Sequence, residues 1–343
     1  MVLISLAPAD CLASSMVDGM ETGQKMAMSD RVTPGRDPGS RCDASVPFAK
    51  LQALGNDFVF LSQHHLRASA AGRDLLDNFA EKGALLARRL CDRHFGIGAD
   101  GLILVAESDN ALCQLSWSYF NADGSAAMMC GNGLRCLALY AVDNQLVDSG
   151  QFSISTGIGP VPVVFESPER ITTDLGQPIL ESALIPVAGE PRSQVLKESL
   201  TIGGLSFSVT CVSMGNPHCV VFESGLKESD FRVLAPRMQE LSFFPQGVNV
   251  EFVDIVDRSH ARVFVWERGC GPTLACASGA AATLVAGVLE GRLERSAVIE
   301  LPGGNLKVTW LSDKGHVLIS GPASCSYKGV LDLGAFLPTE KRA

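Results

Sequence analysis

Hydrophobic and polar residues alternate along many short stretches of this chain, and three longer stretches show helical spacing. Alternation with a period of two predicts β-strands, each bounded by turn residues. The strands predicted in this way cover residues 49–61, 102–105, 114–120, 152–156, 161–165, 205–210, 219–222, 249–254, 261–266, 298–301, 306–310 and 317–320.

The three helical stretches differ in character. Residues 74–94 carry large apolar side chains on one side and basic residues in the last turn, which is typical of a surface helix. The second stretch runs from Cys130 to about Asn144, and the third runs from Cys276 to near Gly291. Many strands with one or two long helices in each half predict an α+β fold.

The order of motifs indicates an internal duplication. LGNDFVF at 54–60 precedes the Cys130 helix, and MGNPHCVVF at 214–222 precedes the Cys276 helix. Two halves with the same order of parts predict two similar lobes with a cleft between them. We therefore expect two pseudo-symmetric domains, each a mixed or antiparallel β-sheet wrapped around a central helix.

The expected division has three parts. Residues 46–174 together with 326–343 form the first lobe, and residues 175–325 form the second. Residues 1–45 are expected to be a disordered, non-catalytic extension, because they hold no aromatic residue and include the turn-rich stretch 33–40, TPGRDPGS. A basic n-region is absent and acidic residues are frequent there, so a cytoplasmic location is preferred to secretion or to an organellar transit peptide.

Composition narrows the class of protein. The formal net charge is −9 with no extended basic cluster, which argues against nucleic acid or an anionic membrane as a partner. No apolar run has the length of a transmembrane helix. The 11 cysteines show no short-spaced framework, so free thiols in a reducing compartment are expected.

Two cysteines each open a helix start built from small residues. Residues 130–136 read CGNGLRC and residues 276–282 read CASGAAA. A thiol at a helix N-terminus lies at the positive end of the helix dipole, which favours thiolate over thiol. The free N–H groups of the same turn can bind a carboxylate. Two such turns facing each other could bind one amino-acid carboxylate and place a thiol on each side of its α-carbon.

Two other interpretations of the motifs are disfavoured. Residues 96–101 (GIGADG) match the dinucleotide pattern GxGxxG, but a predicted helix precedes them and a strand follows, which is the reverse of the required order. We expect a helix-to-strand turn there. The C-x5-C spacings at 130–136 and 270–276 do not fit a zinc site. Buried structural roles are expected for Cys91, Cys113, Cys136, Cys211 and Cys325.

Several polar residues admit either a turn role or a substrate-binding role. Three asparagines stand beside glycine or at strand ends, where asparagine is common for backbone reasons: Asn56, Asn121 and Asn216. Glu267 and Arg268 end a strand, and adjacent strand residues point to opposite faces, so no mutual ion pair is expected. His218 alone would be a core or turn histidine.

Taken together, these segments resemble the diaminopimelate epimerases over roughly residues 47–335. The matching blocks stand in order at residues 54–58, 93–101, 120–125, 129–133, 215–218, 244–249 and 267–276. The resemblance implies a cofactor-independent and metal-free isomerase that interconverts LL- and meso-2,6-diaminopimelate in lysine and peptidoglycan biosynthesis. It also implies the pair of α+β domains that the duplication predicts.

The resemblance assigns roles residue by residue. Cys130 and Cys276 match the acid–base thiols, and His218 matches a histidine near them. The substrate-binding positions are Asn56, Asn121, Gly131, Asn132, Asn216, Asn249, Glu267, Arg268, Ala277 and Ser278. Ala277 stands where the family usually has glycine, and Pro272 and Ala126 replace acidic residues. Alanine would cost about 1 kcal/mol at Ala277 if φ were positive there, and almost nothing in a helix.

Two alternatives stay open at this point. A proline or hydroxyproline racemase-like enzyme would also use two thiols as its acid and base, although Glu267 and Arg268 would then have no role. A relative that binds amino acids but has lost catalysis is the alternative from another class. The sequence does not determine the oligomeric state, and a homodimer is compatible with it.

Overall fold

The computed structural model describes residues 44–225 and 227–337. The extension predicted at 1–45 therefore lies almost entirely outside the described residues, as do the last six residues of the first lobe. The first strand begins at Ser45, close to the predicted start of the folded part.

Strands dominate the described part of the chain. They are β1 Ser45–Ala53, β2 Asn56–Ser62, β3 Gly101–Glu107, β4 Leu115–Asn121, β5 Ala126–Ala127, β6 Gly150–Thr156, β7 Gly159–Ser167, β8 Arg170–Asp174, β9 Val195–Ile202, β10 Leu205–Ser213, β11 Pro217–Phe222, β12 Asn249–Asp257, β13 His260–Glu267, β14 Gly271–Thr273, β15 Ser296–Leu301, β16 Gly304–Trp310, β17 Val317–Gly321 and β18 Ser324–Asp332.

The helices are fewer and fall into outer and central ones. They are α1 Gln63–Arg67, α2 Ala70–Asp77, α3 Phe79–Cys91, α4 Gly131–Asp143, α5 Glu228–Gln239, α6 Ala277–Leu289 and α7 Leu333–Phe336. In the described residues, none is long and apolar enough to cross a membrane.

Strand pairing repeats the same pattern twice. In the first half, β1–β2 is an antiparallel hairpin, β2 pairs with β3 in parallel, and β4 pairs with β6 in parallel across the α4 crossover. In the second half, β10–β11, β11–β12 and β13–β15 pair in the same senses, with α6 as the crossover. The fold is thus a mixed-sheet α+β fold built twice, as the sequence predicts.

Each half buries one helix inside its sheet. From Gly131 to Ala141 every residue of α4 is buried, and α6 is buried almost throughout from Ala277 to Gly287. A helix that is apolar on all sides can be stable only when surrounded, which explains why the sheets curl around these two. The outer faces are covered by α1–α3 in the first half and by α5 in the second.

The two halves are joined by backbone hydrogen bonds. β8 pairs antiparallel with β17, so that Thr173 lies opposite Ile319, and β18 returns to pair with β1. The β1–β2 turn also touches the second half: the carbonyl group of Leu54 lies against Gly303, and Leu274 lies over Gly55. The lobe boundaries themselves stay a prediction, which these pairings support.

Two sequence predictions about local structure are wrong. The single strand expected at 49–61 is a hairpin, because Leu54 and Gly55 both adopt positive φ (55° and 86°), as a tight hairpin turn requires. The single helix expected at 74–94 is two helices, α2 and α3, separated at Asn78, where φ is −126° and ψ is 33°. The hydrophobic pattern also did not predict α1, α5, α7, β5, β8, β9, β14 and β18.

The surrounded position of α4 generates a stability prediction. Leu137 is fully buried in the cluster around α4, so Leu137→Ala is expected to lower the free energy of unfolding by about 2–5 kcal/mol. Leu146 is 41% exposed, and Leu146→Ala should change it by less than about 0.5 kcal/mol. Urea unfolding of both variants measures the difference; equal effects would contradict a packed helix at Leu137.

Candidate active site

The two cysteine-bearing helix starts meet in the structure. A Cβ built on Gly131, the first residue of α4, would lie 2.8 Å from the Cβ of Ala277, the first residue of α6. The N-termini of the two central helices, one from each half of the molecule, therefore converge on one place. This contact is the geometric condition that the sequence analysis required for a shared site.

Both cysteines cap their helices in the same way. Cys130 and Cys276 have extended backbone conformations, and each sulfur accepts a hydrogen bond at 3.4 Å from the N–H three residues on, that of Gly133 or of Gly279. The thiols thus replace the usual serine or aspartate cap. Ala277 is helical and has no positive φ, so its departure from the family glycine costs little.

Asn132 connects the two halves beside the thiols. Its Nδ2 donates to Oδ1 of Asn56 and to the carbonyl oxygen of Ala275, both at 3.1 Å. Ala275 immediately precedes Cys276, whereas Asn56 begins β2 in the first half. The Cys130 sulfur lies 3.9 Å from the same Asn56 oxygen. One amide therefore bridges the elements that carry the two sulfur atoms.

The thiols are enclosed, which reverses one expectation from the sequence. Cys276 is only 5% exposed, and burial raises the pKa of Cys276 well above its usual range. Burial likewise raises the pKa of Cys130 to about 11, although the hydrogen bond from the Gly133 N–H lowers it. The helix N-terminus does favour thiolate, but in this closed arrangement loss of water outweighs it.

Glu267 lies near both sulfur atoms. After burial, its negative charge is the largest cause that raises the pKa of Cys276, and it also raises that of Cys130. Its Oε1 accepts a hydrogen bond of 2.7 Å from the Thr273 hydroxyl. The neighbouring Arg268 is exposed and makes no ion pair with Glu267; its N–H donates to Oδ1 of Asn249, and its Nη1 donates to the carbonyl oxygen of Gln246.

A buried histidine–carboxyl pair lies beneath α6. His218 and Glu251 are both fully buried, with Nδ1 2.7 Å from Oε1. Nε2 lies 3.0 Å from Oδ1 of Asn216 and so donates to it, while Nδ1 faces the Glu251 carboxyl group. Oε1 of Glu251 would lie 2.8 Å from a Cβ on Gly279, in the first turn of α6. The pair thus supports both Asn216 and the second helix start.

Asn121 is placed by Tyr119. The Tyr119 hydroxyl donates to Oδ1 of Asn121 at 2.7 Å, and Nδ2 of Asn121 donates to Ser125. Burial is the largest cause that raises the pKa of Tyr119, and the Cys130 thiolate is the next. Tyr119 therefore fixes the side-chain amide of Asn121.

The structure brings most of the predicted positions to one place, but not all in direct contact. Asn56, Gly131 and Asn132 lie beside Cys130, and Ala277 and Ser278 lie beside Cys276. Arg268 is exposed and donates to Asn249 and Gln246. Sequence reasoning missed the residues that hold these: Asp100, Tyr119, Arg135 and Glu251. Of these, only Arg135 gave a signal, as a charge inside an otherwise apolar helical stretch.

Other sequence interpretations are decided by the same geometry. Residues 96–101 connect α3 to β3, so the helix-to-strand turn is confirmed. Cys91, Cys113, Cys136 and Cys211 are buried as expected, but the prediction is wrong for Cys325, which is partly exposed because it lies on the outward-facing β18. Across residues 44–225 and 227–337, no group of three His, Cys, Asp or Glu side chains is arranged to hold a metal ion.

Comparison with known proteins gives one family over most of the chain. The family model of diaminopimelate epimerase matches residues 48–181 and 210–325. The diaminopimelate epimerase of Desulforudis audaxviator is 45% identical and covers 82% of this chain and 98% of its own length. That of Cyanothece sp. is 40% identical, covering 84% and 100%. The chloroplastic diaminopimelate epimerase of Oryza sativa subsp. japonica is 39% identical, covering 84% and 80%.

Solved structures with the same fold are more distant in sequence. A hydroxyproline epimerase from Agrobacterium vitis superposes with a TM-score of 0.59 at 13% identity, covering 85% of this chain and 94% of that chain. A methylitaconate-delta-isomerase gives 0.57 at 14% identity, covering 87% and 98%. At these identities the likeness shows the shared fold alone.

The contact between the helix starts can be tested by a compensating pair of substitutions. Gly131→Ala is expected to lower the free energy of unfolding by about 1–3 kcal/mol, because its methyl group would overlap that of Ala277. Gly131→Ala with Ala277→Gly should recover most of the loss. Thermal unfolding followed by circular dichroism measures both, and a fully stable Gly131→Ala variant would contradict the contact.

The raised pKa of Cys130, about 11, predicts its reactivity. Only the thiolate reacts with iodoacetamide, so at any pH below this pKa the reactive fraction is smaller than that of an ordinary thiol. Between about pH 7 and pH 10 the rate should rise roughly tenfold per pH unit without levelling off. Mass spectrometry of the Cys130 peptide, with free glutathione as the reference, measures the rate; a plateau near pH 8 would disagree.

Proposed function

The chain belongs to the diaminopimelate epimerase family, and we propose that it interconverts LL- and meso-2,6-diaminopimelate with Cys130 and Cys276 as its acid–base pair. The observation that carries the proposal is the contact of the two thiol-capped helix starts at Gly131 and Ala277. Two sulfur atoms from opposite halves of the molecule then have access to opposite faces of one α-carbon.

The substrate carboxylate is proposed to bind at the two helix starts. The first turns supply backbone N–H groups without partners inside the helix, at Gly131 and Asn132 and at Ala277 and Ser278. Two positive helix ends reduce the negative charge that builds up on the substrate when its α-proton leaves. Charge stabilisation of this kind is stronger in a site from which water is excluded.

The reaction then needs one thiolate and one thiol. The thiolate on one side takes the α-proton, the electron pair remains on the α-carbon next to the carboxylate, and the thiol on the other side gives its proton to the opposite face. The first cysteine ends as a thiol and the second as a thiolate, so the reverse reaction runs through the exchanged states. Because burial raises the pKa of both thiols, each thiolate is a stronger base than an exposed one.

The remaining polar residues are proposed to hold the second amino-acid head of the substrate. Asn56, Asn121, Asn216 and Asn249 offer neutral donors and acceptors, while Glu267 and Arg268 offer one charge of each sign for an ammonium and a carboxylate. His218, held by Glu251, fixes the amide of Asn216. Since Cys276 is almost completely enclosed, the lobes must separate for substrate to enter.

The setting follows from the same proposal. The product would serve lysine and peptidoglycan synthesis, and a small molecule would be the partner rather than nucleic acid or a membrane. Free cysteines throughout the described residues fit the cytoplasm. The rice relative is named chloroplastic, so the location of this chain is best tested directly by tagging the full-length protein.

Replacing either catalytic thiol tests the mechanism. In heavy water, Cys130→Ala and Cys276→Ala are each expected to lower epimerisation of LL-diaminopimelate by at least about 10²-fold, because each removes one proton-transfer group. Incorporation of deuterium at the α-carbon, followed by NMR, measures α-proton exchange and epimerisation together. Cys325→Ala is the matched control and should keep full activity, since Cys325 lies on β18, away from both helix starts.

The same assay separates the alternatives. The wild-type protein should exchange the α-proton of diaminopimelate and not that of proline or hydroxyproline. Turnover of proline would replace the proposal by a racemase of that kind, and undiminished epimerisation in both cysteine variants would end the two-thiol mechanism.

A further inference from the structure

Arg135 is a buried cation without a buried anion beside it. Its side chain is fully buried in α4, one turn after Cys130. Within the described residues its hydrogen bonds go to neutral oxygen atoms: Asn132 Oδ1 at 2.6 Å, the Gly131 carbonyl at 3.3 Å and the Pro322 carbonyl at 3.4 Å. Burying a charge in this way is costly, so it calls for a role that a neutral residue could not fill.

Arg135 stands at one end of an ordered chain of amides. Its Nη2 donates to Oδ1 of Asn132, whose Nδ2 donates to Oδ1 of Asn56, whose Nδ2 donates to Asp100 at 2.8 Å. A guanidinium, which only donates, begins the chain, and a carboxylate, which accepts, ends it. Both amides are therefore held in one of their two orientations, because rotating either by 180° would set oxygen against oxygen.

The orientation of Asn132 has a consequence across the cleft. With Oδ1 turned toward Arg135, Nδ2 is left to donate to the Ala275 carbonyl, next to Cys276 in the other half. In the reversed orientation Oδ1 would face that carbonyl oxygen and the bridge would be lost. Arg135 also donates to Pro322, in the connection between β17 and β18, where the chain returns from the second half of the molecule to the first.

We propose that Arg135 is a positioning residue that locks the amide of Asn132, so that Asn132 latches the second thiol-bearing helix start against the first. The hydrogen bonds of Arg135 go to Asn132, Gly131 and Pro322, and not to either sulfur atom, so its effect on Cys276 passes through Asn132. This inference rests on the proposed function for its catalytic meaning, but the latch can be measured without turnover.

The first measurement is the exposure of Cys276. Arg135→Met keeps the apolar stem and removes the donors, and it is expected to raise the alkylation rate of Cys276 by about tenfold or more, the effect of losing a charge-assisted hydrogen bond. Cys276 is the suitable reporter because it lies in the other half of the molecule and is joined to Arg135 through Asn132 and Ala275. Cys219, fully buried in the second half, should stay unreactive. Arg89→Met is the matched control, since Arg89 also donates to a backbone carbonyl, that of Phe336, away from the site.

Two further variants test the path through Asn132. Arg135→Lys keeps the charge and one donor for Asn132, so it should restore much of the protection of Cys276 and of the epimerase activity. Asn132→Asp keeps the acceptor for Arg135 but removes the donor to Ala275, so it should expose Cys276 as Arg135→Met does. This variant tests the latch even if Arg135→Met does not fold. In an Asn132→Ala background, Arg135→Met should add less than about twofold.

The outcomes separate the latch from its alternatives. An unchanged Cys276 rate in Arg135→Met, or effects of Arg135 and Asn132 that multiply, would overturn the proposal. Simultaneous exposure of Cys219 would mean that Arg135 only stabilises the fold. If the wild-type protein does not epimerise diaminopimelate but Arg135→Met exposes Cys276, the latch is supported and the proposed function is wrong. If epimerisation requires both thiols but Cys276 stays protected in Arg135→Met, the proposed function is supported and the latch is wrong.

Discussion

The close approach of two helix N-termini is the constraint on which the rest of the structure depends. Gly131 and Ala277 meet so closely that a side chain on Gly131 would overlap the methyl group of Ala277, and this brings a capping thiol from each half to one site. Both helices must be buried on all sides to reach it, so each sheet curls around its helix and the outer helices cover the sheets from behind. The small residues of α4 and α6 are therefore consequences of geometry as well as of chemistry.

Burial and the backbone N–H groups shift the pKa of each thiol in opposite directions. Backbone N–H groups at each helix start stabilise a thiolate, while the loss of water and the charge of Glu267 favour the protonated thiol. Each thiol is therefore a weaker acid than an exposed cysteine, and its thiolate is a stronger base. The same exclusion of water that raises the pKa of each thiol also strengthens every dipole aimed at the α-carbon.

The duplication supplies similar lobes, but the polar groups beneath the two helix starts differ. Burial raises the pKa of both thiols, but α4 carries a buried cation, Arg135, that lowers the pKa of Cys130, whereas the Glu251 carboxyl group beneath α6 raises that of Cys276 further. The repeated backbone thus carries unequal electrostatics. This inequality suits a reaction in which the two thiols must differ in protonation at every moment.

Local patterns in the sequence predict the strand-rich repeated fold, the two central helices and the thiols at their N-termini. They succeed because residue spacing and helix capping depend on residues that are close together in the chain. The sequence could not show the break at Asn78 or the turn at Leu54, where tertiary packing decides between two local conformations of similar energy. Nor could it show that Asn132 reaches Ala275, that Glu251 supports His218, or that burial outweighs the helix dipole at each thiol. Those facts join residues far apart in the chain, and only the folded arrangement sets their distances and their exclusion from water.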